Sequence, residues 1–134
     1  MKQNPLTQEE RNILVRYRIQ RAKETLIDAE NLIKNDSYNS AVNRLYYACY
    51  YAVIALLIKN DINAQTHKGV IQMFSLHFIS NNIIDKRYSV FYSRLFNDRV
   101  SGDYDDFVLY NAEMVSPMYE QAEDFIAGIE NLIG

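Results

Sequence analysis

Residues 94–106, RLFNDRVSGDYDD, bring together side chains able to handle a phosphate ester. Arg99 carries a permanent planar cation whose N–H groups can meet two phosphate oxygens at once. Ser101, Gly102, Asp103 and Tyr104 follow it, and Arg44 opens an apolar run earlier in the chain. The same stretch also has a structural use. An arginine near a helix end complements the dipole by up to about 1 kcal/mol, and Gly102 suits the left-handed residue that commonly ends a helix. Both readings stay open on local grounds.

Other chemistries find little support. There is no phosphate-cradling glycine loop and no HExxH pattern. His67 and His77 stand ten residues apart, so they are not one turn apart as metal ligands on a helix would be. DYDD at 103–106 lacks the spaced oxygen ligands of a calcium loop. No metal and no cofactor is expected. The eleven tyrosines, four of them in YYACYY, are dense. Tyr46 and Tyr50 share one helical face, and Tyr47 and Tyr51 the next. They read first as large core residues with a polar tip, and second as a stacking platform for bases. Arg11, Arg16, Arg18, Arg21 and Lys23 form a basic segment: a solvated face by default, phosphate contacts if RNA is bound.

These residues need a scaffold, and the chain points to helices. Its 134 residues suit one domain, 1–134, with a single core. Nearly half are hydrophobic, while four glycines and two prolines are too few for a many-turned β protein. A net charge of −3 argues against a general charge-driven nucleic-acid binder. The single cysteine, Cys49, cannot make an internal disulfide and fits a reducing compartment. The polar start MKQNPLTQEERN has no signal-peptide core. The longest apolar run, Leu45 to Ile58, is 14 residues, short of the roughly 20 that a membrane span needs. A cytoplasmic protein with no membrane association is expected.

Apolar residues at Val15, Ile19, Ala22, Leu26, Ala29 and Ile33 step by 3 and 4, which predicts an amphipathic helix. Thr7 and Glu10 fit a capping box at its start. After Asn35-Asp36-Ser37, a second helix from Tyr38 to Lys59 is apolar on every side from Leu45 on, so it must be covered all round. Its line of Ala48, Ala52 and Ala55 allows close helix approach, and a homodimer using this helix is inferred. Thr66 caps a third helix reaching Ser80, and Asp85 a fourth that stops between Arg99 and Ser101. A last helix, starting at Asn111 or Ser116, carries Pro117 in its first turns. The outcome is an all-α, up-and-down bundle.

Taken together, NRLYYACYYAVIALL, THKGVIQMF, RLFNDRVSGDYDD and AEDFIAGI resemble the bacterial HEPN-domain family over residues 14–133. The resemblance implies a HEPN-like bundle of four to five helices, usually homodimeric. It also implies a minimal nucleotidyltransferase as partner in a toxin–antitoxin-type pair. Active relatives are metal-independent endoribonucleases with an Arg-x(4–6)-His motif. Counted from Arg99, the histidine positions hold Tyr104, Asp105 and Asp106, and none of the eight arginines has a histidine at that spacing. His67 is the one histidine able to reach the cleft. The leading expectation is therefore binding of a nucleotide, RNA or the partner by Arg99, Asp103, Tyr104, Arg44 and Tyr47. An endoribonuclease using Arg99 and His67 is the alternative, and a purely structural helical dimer is the third. In some relatives a tyrosine near this motif accepts a nucleotidyl group, which marks Tyr104.

Overall fold

The computed structural model describes residues 5–104 and 109–134, with the backbone alone described at 100–104. Helix α1 spans Gln8–Lys34, α2 Tyr38–Lys59, α3 His67–Phe74, α4 Lys86–Tyr104 and α5 Ala112–Ile133. Among the described residues there is no strand. The capping box forms as its spacing predicts. Thr7 Oγ1 accepts from the Glu10 amide at 3.1 Å, and Glu10 Oε1 accepts from the Thr7 amide at 2.8 Å. Asn111 caps α5 by accepting from the Met114 amide at 3.0 Å. This settles the open start of the last helix and leaves Pro117 in the second turn.

Aspartate and asparagine, not glycine, follow the ends of the first three helices, whereas Gly134 closes α5. Asp36, Asp61 and Asn82 hold φ of 59°, 56° and 57°, a region these short polar residues tolerate better than most. Each is followed by an amide that bonds five residues back: Ser37 to Leu32, Ile62 to Leu57 and Ile83 to Phe78, at 2.8–2.9 Å. These bonds satisfy carbonyls that a helix end otherwise leaves bare.

One predicted boundary is corrected, and one helix changes type partway. The fourth helix does not stop at Arg99–Ser101 but continues through Gly102 to Tyr104. Glycine inside a helix costs about 1 kcal/mol against alanine without breaking it. The third helix is α-helical only to Phe74, then continues as a π-helical turn over Ser75–Ile79, closed by Ser80 N–H to the Ser75 carbonyl at 2.9 Å. Ser75, which opens this turn, places its Oγ 2.9 Å from Ser89 Oγ of α4.

α2 is the centre of the bundle. It packs most extensively on α1, then on α5 and α4, and eleven of its residues are buried. Ala48, Ala52 and Ala55 are fully buried within the single chain. The alanine line expected to serve a dimer is therefore consumed inside the protomer. α2 is long and apolar enough by composition to cross a membrane, yet its apolar surface is spent on its neighbours. Cys49 lies in the same core, where burial pushes its thiol pKa up and keeps it protonated. Arg11 latches the far end, donating to the Ile58 carbonyl at 2.6 Å and pairing with Asp61 at 3.3 Å.

Candidate functional site

Three helices deliver the candidate side chains to one junction. On α2, the four-residue step puts Tyr46 and Tyr50 on one face, with Tyr47 beside them. On α3, Thr66 Oγ1 accepts from the Gly69 amide at 2.9 Å, which makes His67 the first helical residue. A Cβ on Gly69 would stand only 3.0 Å from that oxygen, so the THKG sequence lets the cap close tightly behind His67. On α4, Arg99 lies one turn after Phe96 and reaches back towards α2.

Arg99 sits on an aromatic bed. Its guanidinium carbon is 5.2 Å from the Tyr46 ring centre, 5.4 Å from Phe96 and 5.7 Å from Tyr47, within the range where a cation gains from a ring face. Its Nη1 donates to the Tyr47 hydroxyl at 3.4 Å. His67 packs against the same three rings at 5.7, 6.3 and 5.9 Å, and against Tyr50 at 4.7 Å. His67 Nδ1 and the Tyr46 hydroxyl are 2.6 Å apart. Arg44 covers the outer side of Tyr47 at 5.5 Å and is held by Asn43 Oδ1 at 2.8 Å. Arg99, His67, Tyr47 and Arg44 are half-buried. The hollow between α4 and α5, lined by Phe91, Asp98, Tyr110 and Met118 among others, is a separate feature.

The electrostatics favour a neutral imidazole beside a fixed cation. Burial lowers the His67 pKa, and the Arg99 charge lowers it further. Burial drives the Tyr46 phenol far above its ordinary value, against the pull of the Arg99 charge. At neutral pH the junction thus presents a guanidinium, neutral His67 and protonated phenols. That set can bind a phosphate oxygen and stabilise charge on it. Among the described residues, no three His, Cys, Asp or Glu side chains converge as a metal site.

Of the residues expected from the sequence, Arg99, Arg44, Tyr47 and His67 are brought together. The side chains of Asp103 and Tyr104 lie outside the described residues. Tyr46, Tyr50 and Phe96 belong to the cluster as well. Sequence reasoning placed the tyrosines in the core and did not give them to the site. The signal was present in Phe96, three residues before Arg99 on one helix, and in Tyr46 and Tyr50, one turn apart. Of the basic residues on α1, Arg11 is structural and Lys23 pairs with Glu130 at 2.6 Å. Arg21 lies over Tyr51 at 5.3 Å and pairs with Glu24 at 3.3 Å. Arg18 lies 5.8 Å over Tyr17 and depresses the Tyr50 pKa against the larger effect of burial.

The HEPN domain profile matches residues 15–132. A UPF0332 protein of Thermotoga maritima is 39% identical over 124 residues, 92% of this chain and 94% of that protein. Two Methanocaldococcus jannaschii proteins carry the name "Putative toxin". One is 35% identical over 115 residues, 86% of this chain and 85% of that protein. The other is 38% identical over 87 residues, 65% of this chain and 59% of that protein. An all-helical bundle matched over nearly its whole length in this way belongs to the HEPN-domain family.

Proposed function

We propose that this chain is the HEPN half of a toxin–antitoxin-type pair and binds a phosphate ester of RNA or a nucleotide at the α2–α3–α4 junction. The observation that carries this reading is the Arg99 guanidinium, laid across three aromatic rings that His67 shares. Stacked in this way, it is held in place before any ligand arrives, so little side-chain freedom is lost on binding. Arg44 supplies a second cation beside Tyr47, and Arg18 and Arg21 extend the basic and aromatic character along α1. The toxin name of the two archaeal relatives supports a role in such a pair. A minimal nucleotidyltransferase as partner, a homodimeric state and a cytoplasmic setting belong to the same proposal.

Titration of a fluorescent single-stranded RNA and of ATP, followed by anisotropy, tests it. Arg99→Ala should weaken binding at least tenfold, while Arg94→Ala, on the same helix, should leave it unchanged. Equal affinity in the Arg99 variant would sink the assignment.

A second reading, RNA cleavage, is favoured by one observation: His67 lies in the same ring cluster as Arg99 although the histidine is missing downstream of the arginine. In that chemistry the 2′-oxygen bonds to phosphorus and the bond from phosphorus to the 5′-oxygen breaks. The products are a 2′,3′-cyclic phosphate and a 5′-hydroxyl. The 2′ proton must be taken up and one delivered to the 5′-oxygen, while Arg99 stabilises the charge. A metal-free nuclease assay that scores cyclic-phosphate ends, run with Arg99→Ala and His67→Ala, decides between cleavage and binding alone.

A further inference from the structure

The Tyr46 hydroxyl and His67 Nδ1 are 2.6 Å apart, and the Tyr46 ring is fully buried. Either atom of such a pair could in principle carry the proton. Tyr92 resolves the choice. Its ring stacks on Tyr46 with centres 5.8 Å apart and planes 6° from parallel. It too is fully buried. The Tyr92 hydroxyl has no partner at hydrogen-bond geometry, so it offers the Tyr46 proton no acceptor. Among the described residues, His67 Nδ1 is the group bonded to the Tyr46 hydroxyl. If Nδ1 carried the proton and donated it to Tyr46, the buried Tyr46 proton would be left unmet, at a cost of about 1–3 kcal/mol. The bond therefore runs outward, from the Tyr46 hydroxyl to His67 Nδ1.

We infer that Tyr46 is a positioning residue that holds neutral His67 in the tautomer with its proton on Nε2, so His67 enters the junction as a hydrogen-bond donor. Nε2 lies on the side of the ring away from the buried phenol, and among the described residues no hydrogen bond occupies it. Beside Arg99 it adds a second N–H to the set that can meet an anionic oxygen. In the cleavage chemistry, His67 then stabilises charge on a phosphate oxygen through its Nε2–H and cannot take up the 2′ proton through Nε2. Burial and the neighbouring cation, which disfavour imidazolium, agree with a neutral donor. The consequence for a ligand rests on the phosphate-ester reading above, whereas the tautomer itself does not.

The test uses the full chain labelled with nitrogen-15, and the two histidines are assigned with His77→Gln. Long-range proton–nitrogen spectra recorded above the His67 midpoint should show the Nε2–H form alone. The Nδ1–H form, or a mixture of both, would overturn the inference even if no variant folds. Tyr46→Phe, with its fold checked by far-UV dichroism, should give mixed tautomers. It should also raise the His67 midpoint by about 0.5 to 1 pH unit, the size of one lost hydrogen bond to the neutral ring. An unchanged tautomer and midpoint in that variant would show that Tyr46 does not set them. Loss of RNA affinity in Arg99→Ala is read separately, so the phosphate-ester reading can fail while the tautomer stands.

Discussion

Arg99 and Tyr47 meet in two ways: Nη1 of the arginine donates to the phenol oxygen at 3.4 Å, and the guanidinium carbon stands 5.7 Å from the ring centre. The contact joins α4 to α2 and fixes the cation that the proposed function depends on. Fork shape matters here as much as charge. Arg99→Lys keeps the charge but loses the planar face and the paired N–H groups. It should recover little of the affinity lost in Arg99→Ala, leaving binding within a few-fold of the alanine variant by RNA titration. Full recovery by lysine would mean that the site reads charge alone.

Arg44 lies on the outer side of Tyr47 and is expected to touch one phosphate. For a single-stranded nucleic acid, each phosphate neutralised contributes about 0.7 to the slope of log affinity against log salt. Arg44→Ala should flatten that slope by about this amount, measured between low and physiological salt. A slope identical to the parent's would remove Arg44 from the interface.

The lowered pKa of His67 has a consequence for stability. The folded protein resists protonation, whereas the unfolded chain takes up its proton near pH 6.5. Stability from this group is therefore complete above that pH. It falls as the pH drops below it, and levels off below the folded midpoint. His67→Gln should remove this part of the acid-side decline in melting temperature. The pH 8 value then reports only the lost packing and the lost Tyr46 bond.

Tyr119 offers a control far from the junction. Its hydroxyl donates to Glu30 Oε2 at 2.7 Å, tying α5 to α1. Burial first, and the Glu30 contact second, push its pKa up to about 12. Tyr119→Phe should cost about 1 kcal/mol in denaturant unfolding and leave RNA affinity unchanged. A change in affinity would imply coupling across the bundle.

The outer face of α1 bears on self-association. Ile13, Tyr17 and Ile27 are more than half exposed, and their spacing puts them on one stripe. If the homodimer forms through this stripe, Ile13→Glu with Ile27→Glu should give a monomer by light scattering after size exclusion, with the helical spectrum intact. A dimer that survives both changes must use another face.

Local signals determined much of this protein from sequence alone. Thr7 with Glu10, the 3-and-4 steps of α1 and the Thr66 cap are short-range patterns whose energetics are complete within a turn or two, so they can be read without knowing the fold. Gly102 shows where such patterns run out: its end-of-helix preference is worth about as much as one good contact, and the helix continues past it. The fate of the alanine line in α2 was likewise a matter of which helices covered it. The association of His67 with Arg99 depended on three helices converging, over 32 positions of separation along the chain. No spacing rule links the two, and only the packing of Tyr46, Tyr47 and Phe96 between them decided it.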